Sequence, residues 1–142
     1  MDLNKSVGFA LRKITTEQFA IIEDAFIEGK IINLNTGFTF GINRKSNIVV
    51  VMSKISFEQK NKPFIILEVG CHFEIDENTW KSFKEGKSFL FPREFITHLS
   101  MLTIGTVRGV LHAKTENTNF NSYLCKITLH SYRSCDHHYS LR

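Results

Sequence analysis

No apolar run in this sequence approaches the length needed to cross a bilayer, and residues 1–6 lack the charged-then-apolar order of a secretory signal. A cytoplasmic protein without membrane insertion is expected. Cysteine occurs three times, at Cys71, Cys125 and Cys135, an odd number with no Cys-x-x-Cys pair, which argues against a disulfide framework. No glycine pattern matches the phosphate-binding loop or the dinucleotide fingerprint. The 18 Lys and Arg outnumber the 14 Asp and Glu, but they are scattered singly, without a basic run or interleaved aromatics. Nucleic acid is therefore not an expected partner.

What the chain does have is phenylalanine, thirteen residues against one Trp and three Tyr. At 142 residues there is room for one core, and a core that small is not expected to bury all of this aromatic load. Some Phe are therefore expected on a binding or oligomer surface. The predicted organisation is a single domain over 1–120 followed by a divergent tail, 121–142, that matches no ordered pattern.

Along the chain, β-branched and aromatic runs broken by Gly, Asn and Lys predict strands up to residue 75. Segments 7–14 and 18–27 read as strands, the second with helix-like composition as well. Segment 31–42 also reads as extended, split by a turn signal at Asn35-Thr36-Gly37, with Phe38, Phe40 and Ile42 alternating against Thr39 and Gly41. Segment 47–57 is the clearest strand. A turn at Asn61-Lys62-Pro63 leads into 64–75, where Ile65, Leu67, Val69, Cys71, Phe73 and Ile75 all project one way. A short capped helix is predicted over 76–83, and a main helix from 92 to 114 that Pro92 can open and Glu94 favours through the dipole. Its apolar face is read from Phe95, Leu99, Leu102, Thr106 and Val110, with Ile96, Thr103, Val107 and Leu111 beside it, and Gly105 and Gly109 would permit close backbone approach. The expected fold class is α+β, with helices packed on one face of an antiparallel sheet.

The side chains that could carry chemistry do not converge. Cys71 and His72 are neighbours on a strand and face opposite ways. Glu68 and Glu74 share a face but stand about 20 Å apart by strand rise, too far for an acid–base pair. His98 and His112 on the main helix suit rim or core positions better than ligation. Cys125, His130, Cys135, His137 and His138 fit no common zinc spacing. No catalytic residue and no metal or cofactor is expected, and an enzyme or small-ligand protein would need a concave pocket that the sequence does not advertise.

The stretch Phe64-Ile65-Ile66-Leu67-Glu68-Val69-Gly70-Cys71-His72-Phe73-Glu74-Ile75, then a short helical link, then Phe89-Leu90-Phe91-Pro92-Arg93-Glu94-Phe95-Ile96 opening a helix, resembles the SecB export chaperones. Thr106-Val107-Arg108-Gly109-Val110-Leu111 resembles the toxin-antitoxin-associated SecB-like proteins. The likeness covers about residues 48–120. It implies a four-stranded, antiparallel, Greek-key-like sheet and an ATP-independent chaperone that assembles as a dimer or tetramer and holds unfolded or preprotein polypeptides in apolar grooves, with a translocase motor subunit among its partners. The alternative is an oligomeric module with one dedicated partner. By residue type and face, Phe38, Phe40, Phe57 and Phe95 are the candidate client-binding residues. By the matching strand, Ile66 and Glu68 are the partner-facing sheet residues, with Leu67 and Val69 on the packing side. The export members are acidic, whereas this chain carries a net charge of +4, and its segment Tyr123-Leu124-Cys125-Lys126-Ile127 stands where the family has a proline-containing loop.

Overall fold

A computed structural model of the protein describes residues 8–121. Four long strands come first, β1 (Phe9–Ile21), β2 (Asn33–Asn43), β3 (Ile48–Gln59) and β4 (Lys62–Ile75). They pair antiparallel in the order β1-β4-β3-β2, so that β2, β3 and β4 form a meander and β1 lies beside β4 as in a Greek key. After the sheet come α1 (Glu77–Phe83), a hairpin of β5 (Lys84–Glu85) and β6 (Ser88–Phe89), and α2 (Arg93–Thr115). Both helices lie on one face of the sheet, in the expected α+β arrangement.

β3 and β4 are the two inner strands. Their β-branched runs, Ile48-Val49-Val50-Val51 and Ile65-Ile66, suit a pleated surface packed on both flanks. Ile65, Leu67, Val69, Cys71, Phe73 and Ile75 are all buried on the helix side, as their alternation predicts. Cross-strand register places Val49, Val51, Ile55 and Phe57 beside them. The core divides in two along the sheet. One cluster joins Ile55, Phe57, Phe64, Ile65 and Leu67 to Ile104, Val107, Leu111 and Phe120, and the other joins Phe40, Val49, Val51, Cys71 and Phe73 to Trp80, Phe83, Phe95 and Leu99.

Several local expectations are corrected by the pairing. Segments 7–14 and 18–27 form one strand that stops at Ile21, followed by a 3-10 turn at Glu23–Ala25. β1 is kept long by two bulges, between Leu11 and Lys13 and between Thr16 and Gln18, which hold it in register with β4. Asn35-Thr36-Gly37 makes no turn, because β2 pairs with β3 without a break from Asn33↔Glu58 to Asn43↔Ile48 and a full ladder outweighs the local turn preference. The β3–β4 turn lies at Lys60-Asn61, whose φ values of 49° and 62° suit a two-residue hairpin, while Lys62 and Pro63 already belong to β4. Pro63 sits opposite Glu58 next to a register shift, at the strand end where a missing N–H is tolerated.

The short helix forms as predicted. Asp76 accepts at 2.8 Å from the Thr79 amide, and the Thr79 hydroxyl donates to it at 2.8 Å. The stripe that α2 buries is rotated from the predicted one. Phe95, Leu99, Thr103, Ile104, Val107, Leu111 and Thr115 face the sheet, whereas Leu102 is exposed and Thr106 and Val110 are half-buried on the flank. Thr103 and Thr115 fit an apolar face because each hydroxyl donates to the carbonyl four residues back, at 2.8 and 2.6 Å. Gly105 and Gly109 are exposed, and a β-carbon at either would meet nothing within 4 Å, so neither serves a close approach.

Candidate functional site

The feature that sets the site is how little of the inner sheet face the helices cover. α2 packs chiefly on β4 and β3, leaving the flanking strands open on their helix side. On β1, Leu11 and Ile14 sit opposite the core residues Phe73 and Cys71, yet Ile14 is 49% exposed. The α2 flank bearing Leu102, Thr106 and Val110 borders this strip, since Phe9 touches His98 at 5.5 Å between ring centres and Lys114 lies over the Phe19 ring. The result is an apolar valley between an edge strand and a helix flank. On the other side, Leu34, Phe38 and Ile42 of β2 are half-buried against the core. Among the described residues β1 pairs only with β4 and β2 only with β3, so both outer backbone edges are open to an added strand.

At the β4 end an aromatic lid closes the second core cluster. Asp76 caps α1 and hydrogen-bonds through its backbone to Gly8, fixing Trp80 and Phe83 over the sheet. Gly8 is needed there because a β-carbon would run into the Asp76 carboxylate. Trp80 packs tilted against Phe89 at 4.6 Å between ring centres, Phe83 likewise against Phe95 at 5.0 Å, and Phe91 bridges Phe83 and Phe89. Leu90, between Phe89 and Phe91, is left 68% exposed on the outside of this lid.

The aromatic load is absorbed more completely than its size suggests. None of the thirteen Phe is exposed; seven are buried and six half-buried. Of the four candidate client-binding residues, Phe40, Phe57 and Phe95 are sealed in the core, Phe57 in one cluster and Phe40 and Phe95 in the other. Phe38 is the member with accessible surface. The structure thus places Phe40 and Phe95 in one cluster and Phe57 in the other, with Phe38 packed against both. The exposed apolar residues are aliphatic: Leu11, Ile14, Ile22, Ile27, Ile31, Leu90, Met101 and Leu102. A signal for two of them exists in the sequence, since Arg12, Lys13, Thr15, Thr16, Glu17 and Gln18 mark a strand too polar to be covered on both faces.

Ile66 and Glu68 lie half-buried on the opposite, helix-free face of β4, and Glu68 is in register with Lys54 of β3. Leu67 and Val69 are fully buried on the helix side. Glu74, further along the outer face, is paired with Arg12 at 2.8 Å. Cys71 is buried and His72 faces the other side, so the two do not meet. Among the described residues no three His, Cys, Asp or Glu side chains converge as metal ligands, and no helix is long and apolar enough to cross a membrane. Tyr123 to Ile127 and the tail residues Cys125, His130, Cys135, His137 and His138 lie outside the described residues.

No protein-family model matches the chain, and no curated protein sequence is significantly similar to it. Among the solved structures that align with it at low identity are two. One is a SecB-like chaperone of Mycobacterium tuberculosis, solved in complex with a peptide from an antitoxin, which is 12% identical over 75% of each chain with a TM-score of 0.49. The other is a protein of unknown function from Streptococcus agalactiae, 13% identical over 79% of this chain and 90% of its own, with a TM-score of 0.44.

Proposed function

We propose that this protein is a SecB-like chaperone that holds unfolded polypeptide segments on the uncovered parts of its inner sheet face, without nucleotide or metal. The observation that carries the reading is the open valley between β1 and α2, where Leu11, Ile14 and Leu102 leave apolar surface in a strip beside an unpaired strand edge. An extended client can add backbone hydrogen bonds to such an edge while its alternate side chains bury against the strip. Aliphatic groups on a shallow valley select for apolarity without selecting one sequence, which suits a binder of many non-native chains. Phe38 and Leu90 add further, separate apolar surface. The Phe89-Leu90-Phe91-Pro92 segment and the β4 strand, which carry the sequence likeness to SecB, form the lid and the sheet centre that frame this surface. Ile66 and Glu68, on the far face, are assigned to contact with a protein partner such as a translocase motor subunit.

The test pairs light scattering for solution mass with an aggregation assay on an unfolding protein in the absence of nucleotide. A dimer or tetramer that suppresses aggregation near stoichiometric ratios supports the reading. A protein with no effect on several unrelated clients would overturn it and leave a module with one dedicated partner.

A further inference from the structure

One end of the molecule carries a cleft of a different character. The β2–β3 loop, α1 and the β5–β6 hairpin enclose a space of about 510 Å³ lined by Arg44, Lys81, Lys84 and Lys87, with Glu77 the single carboxylate and Trp80 and Phe89 as its floor. The elements are locally determined. Asn47, at φ 55°, ends the β2–β3 loop and its carbonyl accepts from the Ile75 amide at 2.8 Å, which ties the loop to the sheet. Gly86, at φ 61°, supplies the left-handed position that the two-residue β5–β6 turn requires. Arg44 is held in place twice over, its guanidinium 5.3 Å above the Phe89 ring and its Nη1 donating to the Lys87 carbonyl at 3.3 Å. Lys81 is paired with Glu77 at 3.0 Å, whereas Arg44, Lys84 and Lys87 have no carboxylate partner among the described residues. A cleft of this size, with a fixed guanidinium and two unpaired ammonium groups around one opening, is built for clustered negative charge.

We propose that this cleft binds the clustered carboxylates of an acidic polypeptide segment, so that the chaperone prefers clients in which Asp or Glu residues flank an apolar stretch. The inference rests on the polypeptide-holding function and names the client chemistry. Its geometry favours a peptide over a nucleic acid for two reasons. Trp80 is buried and Phe89 is covered by Arg44, so no ring face is free for a base to stack on. Leu90, next in the chain to the lining residue Phe89, is also exposed and offers an apolar group to the uncharged part of the same client.

The experiment is fluorescence anisotropy with the full chain and three probes: a short unfolded peptide with three Glu beside an apolar run, its Gln counterpart, and a single-stranded oligonucleotide. The acidic peptide is expected to bind roughly tenfold tighter than the Gln peptide, the sum expected of a few exposed charge pairs. The preference should shrink to nearly nothing on raising salt from about 0.1 M to 1 M, and in an Arg44→Gln, Lys84→Gln, Lys87→Gln variant whose changed side chains are all exposed. Equal affinity for the two peptides, with the Gln peptide still bound, would overturn the cleft assignment alone. Loss of binding by both peptides would overturn the holding function with it, and an oligonucleotide that displaces the acidic peptide at lower concentration would overturn the peptide in favour of a nucleic acid. If the triple variant fails to fold, the salt series on the unchanged protein decides between the same outcomes.

Discussion

Gln59, at the end of β3, is 3% exposed, and its amide stitches the long β1–β2 connection to the sheet. Its Oε1 accepts from the Ile27 amide at 2.8 Å, and its Nε2 donates to the Ile27 carbonyl at 2.7 Å. Gln59→Met, close in volume, removes both bonds to Ile27 and leaves its amide without this partner, and chemical denaturation is expected to show a loss of about 1–3 kcal/mol. Asp76 acts through charge. The Thr79 amide first, then the Thr79 hydroxyl, hold its carboxyl below the ordinary aspartate value. The cap's contribution is therefore complete above the unfolded aspartate pKa and is lost as pH falls through the lower native value. The melting-temperature gap between the natural protein and Asp76→Ala should be widest near neutrality and should narrow in acid below about pH 4. A gap that stayed constant with pH would show that the carboxylate charge plays no part.

At the scale of elements, α2 carries the clearest difference between residue pattern and packing. Leu99 and Leu102 are the same residue type on the same helix, yet Leu99 is fully buried and Leu102 is 40% exposed. Leu99→Ala is expected to cost about 2–5 kcal/mol by cavity formation, and Leu102→Ala less than about 1 kcal/mol, both read from denaturant midpoints. Gly105 meets no neighbour, so Gly105→Ala should raise the melting temperature, the gain amounting to about 0.5–1 kcal/mol for a mid-helix glycine. The helix period was legible from Phe95 to Leu111, but its rotation was not. A sequence with Leu, Val, Ile and Thr on three sides of the helix admits several apolar faces, and the sheet decides which one it covers.

For the molecule as a whole, surface left open by the topology is the functional quantity. Ile14 and Leu102 come from segments far apart in sequence and share one side of the sheet only because β1 returns beside β4. Ile14→Ser with Leu102→Ser should leave the melting temperature within a few degrees of the natural protein, since both residues are already exposed, while weakening aggregation suppression several-fold. Unchanged suppression by this variant would move the client site elsewhere on the surface. The same topology explains why aromatic type did not foretell which residues stay exposed. A large ring has the most to gain from burial, so Phe40, Phe57 and Phe95 went inward, and the smaller aliphatic groups were left at the edges.

The strand alternation of residues 64–75, the Asp76 cap, the start of the main helix and hence the α+β class could be read from the residues alone, because each depends on neighbours a few positions away. The strand order, the continuity of β2 through Asn35-Thr36-Gly37, the buried face of α2 and the convergence of Arg44, Lys84 and Lys87 on one cleft could not. These depend on which segments pair across long loops. That choice is made by the summed burial of the whole sheet and is written in no single stretch of chain.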